Sequence, residues 1–350
     1  MAVDVSVVIP TYNKKDFLEI TLTALGFQTY PLEKYEVVVI NDGSTDGTET
    51  LVSSLKVPYQ INYTHQENQG YSGARNRGIE KASGKTIIFI DDDCIPTPTF
   101  IESHMENHQK GDNSVVLGYK YLTFSQMLPD DSPRKGLLIE TLSRQEALRH
   151  LRSIPVGTML IHPQDFSDGF DKLAHLSYAG ERDRWERTYE IHTPQLNGFR
   201  LPWLLLTTAN FSVSKHHCVE IGGFDESFKG WGLEDFEFGY RLYKQRLNFV
   251  LDKASFVYRL IHWDNVTEDR VVSKVKNYTH FCQKHPDVEV YLHWRLSTSQ
   301  VDILTYNALV CQYYELLEIA KFIADDYYNL VKHECESYGW DIEYRRTNDG

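Results

Sequence analysis

Three aspartates, Asp91, Asp92 and Asp93, stand side by side directly after the apolar run TIIFI. Like charges a few ångströms apart repel and raise one another's pKa, so such a triplet calls for a cation between its members. A divalent ion answers that need, and with oxygen ligands on offer the hard ions Mn2+ or Mg2+ suit, since they keep water and substrate phosphate in their shell. A second acidic pair, Glu234 and Asp235, follows Trp231 in GWGLEDFEFGYRL. Glycines flanking an indole suit a loop that brings backbone and ring close to a ligand, and a carboxylate opening a helix is favoured by the helix dipole. His262 closes the run FVYRLIH, and neutral imidazole is a good Mn2+ ligand. The bland readings are a solvated turn, a helix cap and a structural histidine. Each accounts for one acid or one histidine more easily than for a triplet and a pair.

These side chains need a frame that brings them together. Apolar runs at Val3–Ile9, Tyr35–Ile40, Ile61–His65 and Thr86–Ile90 alternate with helical stretches at Lys14–Phe27, Gly47–Leu55 and Ser72–Ala82. That alternation predicts an α/β chain, a doubly wound sheet with parallel strands covered on both faces. Ligands bind such sheets beyond the carboxyl ends of the strands, where PTYN (10–13), NDGSTDG (41–47) and DDD (91–93) all fall. The NDGSTDG loop starts like an EF-hand, but its twelfth position is Ser53 rather than Glu. Neither GxxxxGK[ST] nor a GxGxxG after the first strand is present, so a P-loop or dinucleotide cradle is not indicated.

Thirty-six Lys and Arg against 49 Asp and Glu leave 350 residues with a net charge of −13, which argues against nucleic acid as a partner. Five scattered cysteines form neither a CxxC pair nor a Cys/His metal spacing, which fits a reducing, cytoplasmic setting. No apolar run reaches the ~18–20 residues of a membrane span, which leaves only peripheral contact with a bilayer open. Beyond residue 266 the pattern turns helical. Tyr306, Val310, Tyr313, Leu317, Ala320, Ala324, Tyr327 and Val331 form a stripe expected on one long helix, packed on its own domain or forming a dimer seam. A further helix is expected near Ile139–Arg152.

In order along the chain, SVVIPTYNKKDFLEITLTAL, VVVINDGSTDGT, NQGYSGARNRGIEKASGKTIIFIDDDCIP and GGFDESFKGWGLEDFEFGYRL resemble the signatures of family 2 glycosyltransferases of the GT-A fold. The W-G-x-E-D element is similar to that of galactosyl- and N-acetylgalactosaminyl-transferases, including chondroitin-polymerase-like enzymes. The likeness covers about residues 3–265, with a gap through 112–205. It implies a Rossmann-like, mostly parallel GT-A domain over 1–265, with a donor half to about 111 and an acceptor half from 112, then a helical extension over 266–350.

Carried over residue by residue, the resemblance implies that Pro10, Thr11, Tyr12 and Asn13 border the base and ribose, and that Asp42 and Arg75 hold the uracil. Asp91 lies on the ribose side, Asp93 binds the metal, and Asp92 goes with the nucleotide side, shaping the turn. His262 stands where related enzymes use a further metal ligand, and Asn210 matches an Asn near the donor. Asp235 is the expected base, with Glu234 and Trp231 on donor sugar and acceptor. The implied activity is inverting, metal-dependent transfer of a hexose or N-acetylhexosamine from a UDP-sugar to a carbohydrate or glycoconjugate acceptor. A retaining transferase and a catalytically silent sugar-nucleotide or glycan-binding module are the alternatives.

Overall fold

Strand β1 (Val5–Thr11) is buried along almost its whole length, and its side chains divide between two cores. Val5, Val7 and Ile9 face one layer while Val8 faces the other, as the two-residue period of a strand requires. β2 (Tyr35–Asn41) repeats the pattern with Val37 and Val39 against Val38 and Ile40. Both faces are therefore covered, which is why these strands read as unbroken apolar runs. The computed structural model describes residues 3–179, 185–192, 194–261, 268–297 and 301–348.

The remaining strands are β3 (Gln60–His65), β4 (Thr86–Phe89), β5 (Cys94–Pro96), β6 (Ser114–Phe124), β7 (Ser177–Ala179), β8 (Phe211–Ser214) and β9 (Asn248–Ile261). Their order in the sheet is β3-β2-β1-β4-β8-β6-β9-β5, with β7 also pairing β6. The first four strands are parallel, as expected, and the longest register, β6 with β9, is parallel too. Antiparallel β8 joins the two halves, and short β5 and β7 pair antiparallel with β9 and β6.

Helices α1 (Lys15–Leu25), α2 (Thr48–Ser54), α3 (Gly70–Lys81) and α4 (Phe100–His108) cover the first half. α1 packs Leu18, Leu22 and Leu25 on one face, and α3 packs Ala74 and Ile79 on the other. A Cβ added at Gly78 of α3 would lie 2.3 Å from Val8 Cγ1, so only glycine allows this approach to β1. Gly78→Ala is expected to destabilise the protein by about 1–3 kcal/mol, the usual cost of overpacking, read as a lower midpoint in denaturant unfolding.

The middle of the chain carries α5 (Lys135–Arg144), α6 (Asp171–His175), α7 (Arg187–His192) and α8 (Lys215–Glu220). The helix expected near Ile139–Arg152 is divided: α5 ends at Arg144, Gln145 is extended, and a 3-10 stretch follows over Glu146–Ser153. α9 (Glu234–Lys244), α10 (Glu268–Lys284), α11 (Val288–Tyr291), α12 (His293–Ser297), α13 (Ile303–Ile319) and α14 (Lys321–Asn348) complete the fold. Fully buried Trp203 makes edge contacts with Tyr240 of α9 and Phe281 of α10, so the C-terminal helices share the core of the sheet.

The single long helix expected there is instead two. Ala320 leaves helical geometry at φ −153°, and the ring centroids of Tyr313 and Tyr327 lie 6.1 Å apart. Fourteen residues of straight helix would separate them by about 21 Å. The chain folds back at Ala320, and Tyr306, Val310, Ala324 and Val331 are buried within their own chain.

Candidate active site

The loops that leave the parallel strands meet, as the topology requires, at one edge of the sheet. β1 and β2 end level, Thr11 opposite Asn41, and the Asp42 amide donates to the Thr11 carbonyl at 2.9 Å. Asn13 ties its loop to the next, accepting from the Thr45 amide at 2.8 Å while its own amide donates to Ser44 Oγ at 2.9 Å. The Asp42 carboxylate accepts from the amides of Gln69 and Gly70, both at 2.9 Å, and from Gln66 Nε2 at 2.7 Å, so it caps the start of α3.

The three aspartates diverge. Asp92 turns inward, accepting from Thr11 Oγ1 at 2.8 Å, while Thr21 Oγ1 donates to its carbonyl at 2.9 Å. Burial pushes its carboxyl up to about 7, with Lys14 opposing the shift and Asp93 adding to it. Lys14 Nζ lies 2.9 Å from Asp93 and 3.5 Å from Asp92. Burial works against that ammonium, but the two aspartates outweigh it and hold its pKa well above the usual lysine value. Arg259 of β9, paired with Cys94 of β5, reaches Asp91 at 3.9 Å and Asp93 at 4.0 Å.

Ligand atoms of Asp91, Asp93 and Cys94 lie within 4.8 Å of one another. Burial, then the charges of Asp93 and Asp91, push the Cys94 thiol well up, so it stays protonated and the donor set is two carboxylates. That set fits a hard divalent ion, which makes Asp91 and Asp93 its candidate ligands. His262 lies outside the described residues.

The acidic pair reaches the same cleft through a strained turn. Gly230, Gly232 and Leu233 have φ of +70°, +99° and +75°, the last uncommon for a bulky residue. The turn delivers Glu234 and Asp235 to the first turn of α9, where the helix dipole favours their charge. Glu234 accepts from Arg75 Nη1 at 3.0 Å, and Arg75 Nη2 lies 3.6 Å from Asp91. Arg75 is buried between them, and its Nε has no hydrogen-bond partner among the described residues, an orphaned donor at the cleft wall. Burial raises the Asp235 carboxyl to about 7, with repulsion from Glu234 adding and Arg75 opposing. Arg75→Ala leaves Glu234 charged and unpartnered, so a loss of about 3–5 kcal/mol in unfolding free energy is expected, partly restored by Arg75→Lys.

Of the expected site residues, Pro10, Thr11, Tyr12, Asp42, Arg75, Asp91, Asp92, Asp93, Trp231, Glu234 and Asp235 line one cleft of about 750 Å³. Asn13 and Asn210 do not line it. Asn210 is buried beneath, donating to the carbonyls of Tyr119 (3.0 Å) and Ser255 (2.8 Å), with its Oδ1 3.0 Å from His104 Nε2.

Sequence reasoning missed Lys14, Lys120 and Arg259, which also line the cleft. The signal that could have found Lys120 and Arg259 is their local setting, each a single cation within a largely apolar stretch, GYKYLTF and FVYRLI. It also missed α10 and α12, which supply Arg270, Ser273, Lys274, His293 and Ser297 to one wall. Asn277 of α10 pins the Trp231 loop, donating to the carbonyls of Gly232 (2.8 Å) and Lys229 (3.1 Å) and accepting from the Lys229 amide at 3.2 Å.

The chain is similar to known proteins in sequence and in fold. Residues 6–164 match the model of glycosyl transferase family 2, and residues 191–283, through most of α10, match that of the N-terminal domain of galactosyltransferase. Validoxylamine A glucosyltransferase of Streptomyces hygroscopicus subsp. jinggangensis is 32% identical over 295 residues, 83% of this chain and 63% of that protein. Chondroitin synthase of Escherichia coli is 28% identical over 256 residues, 72% of this chain and 34% of that one. The chain thus spans less than two thirds of the length of these relatives.

Two solved structures share the fold. The mannosyltransferase PcManGT from Pyrobaculum calidifontis, in complex with GDP-Man and Mn2+, superposes with a TM-score of 0.55 at 16% identity, over 97% of this chain and 88% of that one. S. aureus TarS 1–349 in complex with UDP-GlcNAc gives 0.53 at 16%, over 84% and 73%. With its strand-end loops, its aspartate triplet and its Trp-Gly-x-Glu-Asp turn converging on one cleft, the chain belongs to the family 2 glycosyltransferases of the GT-A fold.

Proposed function

We propose that this protein is an inverting, divalent-metal-dependent transferase that moves a hexose or N-acetylhexosamine from a UDP-sugar to a hydroxyl of a carbohydrate or glycoconjugate. The observation that carries this reading is the meeting, in one cleft, of the Asp91–Asp93 carboxylates with Asp235, a carboxyl raised to about 7. A base tuned near the working pH combines the right protonation state with the driving force to take a proton. The matches to the galactosyltransferase domain and to chondroitin synthase support a hexose or hexosamine donor. The two solved structures hold UDP-GlcNAc and GDP-Man, which supports a nucleotide sugar, and uridine rests on the motif resemblance.

Pro10, Thr11 and Tyr12 border the nucleoside from the end of β1, with Asp42 and Arg75 beside the base and Asp91 on the ribose side. Asp91 and Asp93 would hold the divalent ion, which when bound stabilises charge on the leaving diphosphate as a Lewis acid. Asp235 takes the proton of the acceptor hydroxyl as its oxygen forms a bond to the anomeric carbon. The bond from that carbon to the diphosphate breaks on the opposite face, and the configuration inverts. Arg75 holds Glu234 in place at 3.0 Å, and Trp231 offers a half-exposed ring as a platform for sugar.

A thermal-shift panel of nucleotide sugars tests the reading, because a ligand that prefers the folded state raises apparent stability. UDP-hexoses or UDP-N-acetylhexosamines are expected to raise the Tm with Mn2+ present and to lose most of that effect in EDTA. A response confined to guanosine or thymidine sugars, or none, contradicts it.

A further inference from the structure

We propose that Cys282 of α10 and Cys335 of α14 form a site of reversible oxidation, closed to a disulfide by hydrogen peroxide and reopened by a thiol reductant, that ties α14 to the helix walling the cleft.

No spacing among the five cysteines points to a pair, and Cys94, Cys218 and Cys311 fall on three separate elements, β5, α8 and α13. Folding brings the other two together. The Sγ atoms of Cys282 and Cys335 lie 3.5 Å apart, although 53 residues separate them in the chain. The fold-back at Ala320 makes this meeting possible, because it returns α14 toward α10 and α11. Tyr328, Val331 and Cys335 recur at spacings of three and four, so they share one face of α14. Tyr328 donates to the Pro286 carbonyl at 3.0 Å and stacks its ring edge 5.7 Å from that of Tyr291, while Val331 and Cys335 are buried.

The two sulfurs sit in a frame that holds them in place. Cys335 Sγ donates to Tyr278 Oη at 3.2 Å, and Tyr278, one turn before Cys282 on α10, donates in turn to the Tyr291 carbonyl at 2.8 Å. Two thiols buried for packing alone would behave as small hydrophobes. What sets this pair apart is that the sulfurs meet each other across two helices. An S–S bond of about 2.05 Å asks them to approach by about 1.5 Å, which side-chain rotation and a slight shift of α14 supply together. α10 is also the helix whose Asn277 holds the Trp231 loop, so the bond would anchor α14 to the support of the cleft wall.

The oxidation balances with one peroxide. One sulfur, as thiolate, attacks a peroxide oxygen, and the O–O bond breaks to leave a sulfenic acid and a hydroxide, which takes up the proton that the thiol released. The second sulfur attacks the sulfenic sulfur, the S–O bond breaks, and the second thiol proton leaves with the oxygen as water. Two thiols are oxidised to one disulfide while one peroxide is reduced to two waters. A dithiol reductant reverses the step by thiol–disulfide exchange. Cys282 and Cys335 are only 8% and 6% exposed, which favours a small oxidant and makes the reaction slow.

The test treats the full chain with hydrogen peroxide at low protein concentration, alkylates it in denaturant and maps its peptides by mass spectrometry without reduction. A peptide linked through Cys282 and Cys335 is expected as the main product, with Cys94, Cys218 and Cys311 alkylated. Closing so long a loop removes entropy from the unfolded chain, so the Tm is expected to rise by about 3–5 °C, and dithiothreitol returns both readouts to the starting state. Cys335→Ser and Cys282→Ser each lose the linked peptide and the rise in Tm, and Cys311→Ser keeps both. Should the serine variants fail to fold, the peptide map and Tm of the unsubstituted protein decide. Alkylation of both thiols after oxidation, a main product linked through Cys311 or between two molecules, oxidation to sulfinic acid without a link, or a link that leaves the Tm unchanged overturns the proposal.

Discussion

Asp235→Asn lowers transfer by roughly 10²–10⁴-fold, the range a positioned general base contributes, while UDP affinity in Mn2+ stays within about twofold. Asn keeps the shape of the side chain and cannot take a proton. In the unsubstituted protein kcat/KM is expected to rise about tenfold per pH unit up to a bend near 7, the pKa of the Asp235 carboxyl, because only the ionised form acts as base. The variant loses that limb of the profile. A turnover close to that of the unsubstituted protein would remove Asp235 from the base role.

The same substitution has an opposite effect on stability. A carboxyl whose pKa is raised by folding penalises the folded state once it must ionise. The unsubstituted protein therefore loses stability as pH rises from about 4, the unfolded value, through about 7, the folded one. Asp235→Asn carries no such charge beside Glu234, so its advantage in unfolding free energy grows across that window and levels off above it. Gaining stability while losing activity is the pattern expected where a site holds an unfavourable group for its chemistry.

Asp93→Ala acts on the other half of the site. Asp93 is 2% exposed and is one of the two carboxylates that fit a divalent ion. Removing even an outer partner of a metal typically costs about 10- to 100-fold in affinity, so loss of a direct ligand is expected to weaken Mn2+-dependent UDP binding by at least about 100-fold. Lys14 keeps Asp92 as a partner, which limits the effect on folding. Isothermal titration of UDP with Mn2+ and with EDTA separates the two variants: Asp93→Ala loses the difference between the two conditions, and Asp235→Asn keeps it. A Mn2+ effect that persists in Asp93→Ala would contradict the assignment.

The parallel half of the sheet and its strand-end loops were legible in the sequence because local signals coincide there. Unbroken apolar runs fix the parallel strands, and Asp, Asn and Gly after each run fix where the chain leaves the sheet. The inward turn of Asp92 was not legible, because it depends on Thr11 and Thr21 arriving from β1 and α1. Asn210 shows the limit of carrying a role across on a motif, since its side chain is used up bonding two carbonyls and His104 below the cleft.

The C-terminal helices were the least legible part. Their apolar stripe is continuous through Ala320, and no Gly or Pro stands near the fold-back. The break comes from tertiary packing, which buries both arms of the stripe within the chain. Likewise, a polar face reading RxxSK in α10 looks like any solvated surface until the Trp231 loop is seen resting on it.

Proton NMR of the sugar first released from an α-linked UDP-hexose or UDP-N-acetylhexosamine, with water as acceptor and Mn2+ present, tests the central claim most directly. Inverting transfer predicts that the β anomer forms first and then mutarotates, and that EDTA stops its release. An α anomer formed first, or release that continues unchanged in EDTA, would contradict it.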